Sequence, residues 1–462
     1  MRTWGEIAGL VGGALRLWRR FLPQLVFWFA LGYAVNLAGR YASTLLGAEH
    51  LVLATLCQGV SLIATACATL LMMNALGPGL PTYQRLVTRT AKLLAGEPGT
   101  PAPELPPRVA EPAGRLDTLA AVVGPVLAIY SVWNLVAEQA RELFIVNIAV
   151  HGLFGTASYS INFGRVGFYA AAAAVVWVLR TGVGRTSRWA RSRARRAGGR
   201  SLRRTGTVLT GVYILLEGLW VYLLFIAVYA ITSDVRSWWS RRAVEGWLYQ
   251  RWEDLTDALP TILIPLPEMV RALGTWFFGS LLPATFDVVG LPLMFLAVTA
   301  TVFGWRGRRL AVEVDEQLRR LNPRLAALPV PHRLVRSGPT RVVAEVLTED
   351  LRTKYVPLLT SLSMLVRRGV RFVGAFLVLA SVLALLEAVL TTLALRPLGP
   401  SAGLTAVANE ALVALVVGVV VQPVLVSLYA AAFDRALEAG DPPDPGDPAD
   451  PASVAPLSPA KA

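Results

Sequence analysis

The chain has 462 residues, 55% of them hydrophobic and only 16% charged, where a soluble protein averages about 25% charged. Its net charge is +14, and arginine carries nearly all of the positive side, because lysine occurs only at Lys92, Lys354 and Lys461. That balance excludes an ordinary soluble domain and points to a polytopic, all-α membrane helix bundle. The bias toward Ala, Gly, Pro and Arg matches the codon usage of a GC-rich bacterial genome, which lowers the weight of any single arginine.

Residues 1–20 read as an interfacial amphipathic helix. Trp4, Ile7, Val11, Leu15 and Trp18 recur at helical spacing, and Arg16, Arg19 and Arg20 gather at its end. The apolar run that follows is too long for the h-region of a leader and has no small-residue cleavage site, so no cleavable signal is expected. Two spans fill 21–76, at 21–39 and 51–75. Cys57 and Cys67 fall in the second; a spacing of ten suits neither a CxxC nor a zinc site, so they read as small apolar side chains. Residues 77–117 are a polar, Pro-rich inner loop, extended through EPGTPAPELPP.

Spans three and four occupy 118–180, at 118–138 and 164–180, with 143–163 lying in or re-entering the outer interface. Residues 181–206 form an Arg-rich cytoplasmic linker. From Arg180 to Arg204 ten arginines run without one acid, and the positive-inside rule pins them to the cytoplasm. Spans five and six, 207–232 and 285–305, flank an outer segment, 233–284, rich in tryptophan at Trp238, Trp239, Trp247, Trp252 and Trp276. Indoles prefer the headgroup level, so this segment reads as a membrane-hugging cap. Residues 306–371 are a second basic, helical inner piece. Spans seven and eight fill 372–432, with Pro423 as a kink in the eighth. The tail from 441 to 462 has the Pro/Asp composition of disorder.

This predicts about eight transmembrane helices with both termini inside. Only nine of the 44 Lys and Arg, from Arg40 to Arg396, then fall outside, and the inverse orientation would expose most of the positive charge to the outer face. A multi-pass protein of a bacterial plasma membrane is expected.

Chemistry in such a chain is sought among acids inside spans, which are costly there and usually face a bundle interior or a wet cavity. Glu217 lies mid-span and shares a helix face with Thr210 at i−7, Tyr213 at i−4 and Trp220 at i+3. It reads either as a proton, cation or substrate site or as packing glue that hydrogen-bonds across helices. Glu387 flanks a small-residue stripe of Ala380, Ala384 and Ala388, and Glu410 follows in the next span beside Asn409. Counted from a turn centred near Gly399, Glu387 and Glu410 fall at similar depth, which predicts an acidic pair sharing a proton or cation. Glu138 and Asp287 read as solvated rim charges.

Weaker patterns are set aside. Gly399-Pro400-Ser401-Ala402-Gly403 fits GxSxG, but it joins two membrane helices with no strand before it and reads as a turn. The histidines are His50, His151 and His332, and no metal site or cofactor is expected. Arg191, Arg193, Arg195, Arg196, Arg200, Arg203 and Arg204 are expected to face anionic lipid headgroups rather than nucleic acid. Three classes of function fit: a secondary transporter or permease using buried carboxylates, a membrane scaffold binding a partner protein or a second copy, and an intramembrane lipid-acting enzyme.

Overall fold

A computed structural model describes residues 2–47, 50–95, 115–132, 166–197, 200–240, 276–304, 369–399 and 403–438, with isolated positions elsewhere. Nine helices carry the fold among them: α1 (Arg2–Gly47), α2 (Leu51–Leu76), α3 (Pro81–Ala95), α4 (Arg115–Val132), α5 (Val166–Ala197), α6 (Arg200–Ser240), α7 (Leu291–Gly304), α8 (Val370–Leu395) and α9 (Leu404–Glu438). Six of these, α1, α2, α5, α6, α8 and α9, are long and apolar enough to cross a membrane. The other two expected spans are helical over the shorter α4 and α7. The expected re-entrant segment 143–163, most of the cap between 241 and 275, most of the basic piece 306–371 and the tail 441–462 lie outside the described residues.

Three elements differ from their sequence reading. The interfacial helix 1–20 and the first span are one helix, because α1 runs unbroken through Pro23. Proline removes one backbone hydrogen bond, but tight packing on both sides of it, at Leu17, Phe21 and Leu25, holds the helix together. Within the expected polar loop, α3 forms after the Gly77–Gly79 turn. Pro81 suits its first position, and Tyr83 buries its ring against Phe303. Nor is the Arg-rich linker a linker: α5 continues to Ala197, α6 begins at Arg200, and only two residues separate them. Arginine and alanine are strong helix formers, so nothing before the Gly198-Gly199 pair stops the helix.

Antiparallel pairs assemble the bundle. Along α1 and α2, small and polar residues bring the backbones close. Ser43 Oγ donates to the Ala54 carbonyl at 2.8 Å, and Asn36 Nδ2 donates to Thr65 Oγ1 at 3.0 Å and to the Ser61 carbonyl at 3.2 Å. Ser61 Oγ returns a bond to the Asn36 carbonyl at 3.0 Å. Such bonds hold helices together where lipid removes the hydrophobic drive. On another face α1 runs along α9: Gly9 lies under Arg435, Gly13 under Ala431, the Phe29 ring covers Gly418, and Tyr33 donates its hydroxyl to the Ala411 carbonyl at 2.5 Å.

The main core gathers the first half of α1, the end of α2, and α3, α4, α7, α8 and α9. Aromatic rings mark its centre, with Tyr83 on Phe303, Phe303 stacked on Phe433, and Tyr429 between Phe295 and Phe376. A second cluster joins Tyr169, Ala173 and Val176 of α5 to Tyr222, Leu223 and Ile226 of α6 and Leu62 of α2. The α8–α9 connection is a turn, with Gly399 at φ 67° and Gly403 at φ 61°. That left-handed backbone is what glycine permits.

Candidate functional site

Helices α5 and α6 form one long antiparallel hairpin, and its seam carries the site. On α5, positions 169, 173, 176, 180, 184, 187 and 191 face α6. They advance by about 3.7 residues per turn, which keeps one face of a nearly straight helix on its neighbour. Toward one end the seam is apolar; from residue 180 to the turn it becomes polar and small. Each step along α5 is matched by a step back along α6. Arg180 meets Glu217, Gly184 lies under the Tyr213 ring, Ser187 meets Thr210, and Arg191 covers Gly206.

The Arg180–Glu217 contact is an ion pair inside the bundle. Arg180 Nε donates to Glu217 Oε2, and the two residues are 3% and 1% exposed. The guanidinium carbon lies 5.1 Å from the Trp220 ring centre and 5.8 Å from that of Tyr213, both within cation–π range. From behind, α4 closes the site: a Cβ on Gly124 would come within 2.7 Å of Glu217 Oε1. Below it, Ser187 and Thr210 share a 2.9 Å hydrogen bond, and Thr210 Oγ1 also donates to the Gly206 carbonyl at 2.8 Å.

Thr210, Tyr213 and Glu217 thus do share a face, with Trp220 beside them. Their partner is what sequence reasoning missed. Arg180 stood in the reading as the first of the cytoplasmic arginines. It and Glu217 are each 18 residues from the nearer of Gly198 and Gly199, the two residues between α5 and α6, about 27 Å of helix, which places the pair inside the spans. Equal distance from the Gly198-Gly199 pair is the signal in the sequence, and it becomes usable only because 181–197 and 200–206 are helical.

The second expected site separates. Glu387 is half-buried and accepts a 3.4 Å hydrogen bond from Gln422 Nε2. Glu410 is exposed and lies twelve residues before Gln422, about 18 Å along α9. The reason is the connection, which is not centred on Gly399: Leu390, Ala394 and Leu395 pack on the Val413, Val417 and Val421 cluster, so α9 overhangs the end of α8 by about two turns. Of the small-residue stripe, Ala380 is buried while Ala384 and Ala388 are exposed.

Among the arginines assigned to headgroups, Arg193 and Arg204 are exposed, and Arg193 lies over the Trp189 ring at 5.4 Å. Arg191 is half-buried in the seam, its Nε donating to the Ser187 carbonyl at 3.4 Å. The side chains of Arg195, Arg196, Arg200 and Arg203 lie outside the described residues.

A further acid went unread in the sequence. Asp434, 6% exposed, accepts the Tyr83 backbone N–H at 2.9 Å. Near the end of α9, it caps the start of α3 from 351 residues away, where a helix leaves N–H groups unpaired. Its neighbour Arg435 pairs with Glu6 at 3.6 Å, so both ends of the described chain meet there.

Comparison of the chain with models of known protein families, with curated proteins and with solved structures found no match.

Proposed function

We propose that this multi-pass membrane protein is a non-catalytic scaffold or assembly subunit of a bacterial plasma membrane. In this reading both termini are cytoplasmic, and its basic inner segments hold partner proteins and anionic headgroups. The observation that carries it is the state of Glu217. A carboxylate that binds and releases a proton or a cation needs a path to water and a vacant coordination side. Glu217 instead has the Arg180 guanidinium on one side, itself against the Trp220 and Tyr213 rings, and the α4 backbone at Gly124 on another. Two surface cavities along α1, about 590 and 320 Å³, include neither Glu217 nor Glu387 in their walls, and Glu217 itself is 1% exposed. The site orients α5 on α6 and α4 on both, which is a structural task. The arrangement favours this reading over the secondary transporter and permease that the buried acids first suggested.

The test is carbodiimide labelling. Dicyclohexylcarbodiimide partitions into membranes and reacts with protonated carboxyls. Native protein in liposomes should leave Glu217 unmodified at neutral and mildly acidic pH, as read by peptide mass spectrometry. Arg180→Met, which removes the partner, should make Glu217 reactive. Rapid, pH-dependent labelling of Glu217 in the native protein would instead put proton coupling first.

A further inference from the structure

We infer that the cytoplasmic half of α1 holds one anionic phospholipid in a built groove, apart from the Arg-rich hairpin and independently of the scaffold reading. Residues 12, 15, 16, 19, 20, 23, 24, 27 and 28 recur every three or four positions and make one continuous stripe along α1. Two cavities open along it. The first, about 590 Å³, is lined by Gly12, Leu15, Arg16, Arg19 and Arg20. The second, about 320 Å³, is lined by Pro23, Gln24, Phe27 and Trp28, with Leu71 and Ala75 of α2 as its far wall.

The order of chemistry along the stripe is that of a phospholipid. Three exposed guanidiniums come first, then an amide, then an apolar aromatic slot. From Arg20 to Phe27 is seven residues, about 10 Å, so a phosphate held among the arginines delivers its acyl chains to the slot within one leaflet of about 20 Å. Charge complementarity sets the sign. No acid occurs between Glu6 and Glu49, and Glu6 is engaged by Arg435. Arg16, Arg19 and Arg20 make no ion pair with a described residue, and Arg20 lies 5.4 Å from the Phe21 ring centre. Guanidinium forks match phosphate oxygens in two-point contact. Pro23 adds a polar acceptor at the boundary, since it supplies no N–H to the Arg19 carbonyl and leaves it for a headgroup hydroxyl.

A diffuse positive surface would attract anionic lipid without a slot. The slot makes this a site, and the experiment separates the two. Full-length protein is stripped of lipid in detergent, and phosphatidylglycerol or phosphatidylcholine is titrated back, with retained lipid read by native mass spectrometry. One phosphatidylglycerol should be retained in preference to phosphatidylcholine. The R16Q/R19Q/R20Q triple should weaken it about a hundredfold, at about a factor of five per arginine. Gln24→Trp changes no charge and fills the slot from an exposed position, and it should also release the lipid. R185Q/R188Q/R193Q, an equal loss of charge on the hairpin, should leave that bound lipid in place. Equal weakening by both triples with no effect of Gln24→Trp would overturn the proposal, as would equal retention of phosphatidylcholine. Displacement of the lipid by soluble glycerol phosphate would reduce the site to a headgroup pocket and overturn it too. Size-exclusion profile and melting temperature identify any variant that fails to fold, and Gln24→Trp carries the test if the α1 triple does.

Discussion

Arg180→Met should unfold this protein far more readily than the pair Arg180→Met with Glu217→Leu. Arg180 and Glu217 are 3% and 1% exposed, so removing either partner leaves the other's desolvated polar group unpaired. Breaking a buried ion pair in this way costs about 3–5 kcal/mol, whereas replacing both charges by apolar groups of similar volume is often neutral or stabilising. Met keeps the stem of Arg180 between the Tyr213 and Trp220 rings, and Leu fills the space under Gly124. The singles should therefore each lose about 3–5 kcal/mol and the double close to none, a coupling of roughly 6–10 kcal/mol if the singles were additive. Measured values will fall toward the low end, because a helix unfolded within the membrane still finds other polar partners. The assay is a double-mutant cycle by chemical unfolding in mild detergent, with Glu217→Gln as a third single. Gln keeps the shape of Glu217 but strands the guanidinium, so it should be as harmful as Arg180→Met. A tolerated Gln, or a double mutant as unstable as the sum of its singles, would refute the ion-pair account.

Gly124→Ala should destabilise by about 1–2 kcal/mol, an overpacking cost of up to about 3 kcal/mol offset in part by the better helix propensity of alanine. Gly211→Ala, with open space around the position, should gain about 1 kcal/mol; melting temperatures in detergent compare them. Asp434→Ala should remove about 1 kcal/mol of capping from α3, seen as faster hydrogen exchange in the Pro81–Ala95 peptide while α2 stays protected. Gln58 is 1% exposed and neither of its amide atoms has a partner. Gln58→Leu should therefore raise the unfolding free energy by about 1–3 kcal/mol, the penalty of a buried unpaired polar group; an unchanged or lower value would mean the amide is satisfied.

Six of the eight expected spans were legible, because an apolar run of about 20 residues has few alternatives to a membrane helix. Segments between spans were not. The reading placed a linker at 181–206 and a loop at 77–117 by charge and proline content, yet charge does not stop a helix and Pro81 starts one. The first hid the Arg180–Glu217 pair; the second hid the cap that Asp434 places on α3. With 181–206 as a linker, Arg180 belongs to the cytoplasm and Glu217 has to find a hydroxyl on its own helix. With a helical hairpin, the two are level by construction. The pairing of Glu387 with Glu410 failed for the converse reason: it assumed two helices rising equally from their turn, and the overhang of α9 is a property of packing that no local signal carries.

The four acids thus have different fates under one rule. Glu217 meets a guanidinium because only two residues separate α5 from α6 and both helices run up to them. Glu387 meets only an amide because the α8–α9 connection is offset by about two turns. Glu410, displaced by the same offset, remains exposed. Asp434 meets backbone N–H groups because α9 extends past the apolar layer to the start of α3. The placement of Glu217, Glu387 and Glu410 follows the connection between their helices rather than the residues flanking them in sequence. Lengthening a turn should therefore rewire a site more than mutating its neighbours. Two residues inserted after Gly199 keep the charges and the spans. They would rotate α6 by about 200° at 3.6 residues per turn if the helix stays docked at the same depth, carrying Glu217 away from Arg180. Such a variant should show the instability of Arg180→Met, and the double Arg180→Met, Glu217→Leu in the same background should recover it. A hairpin that absorbs the insertion in the turn with no loss of stability would show that the seam from Ser187 to Thr210, rather than the turn, sets the register.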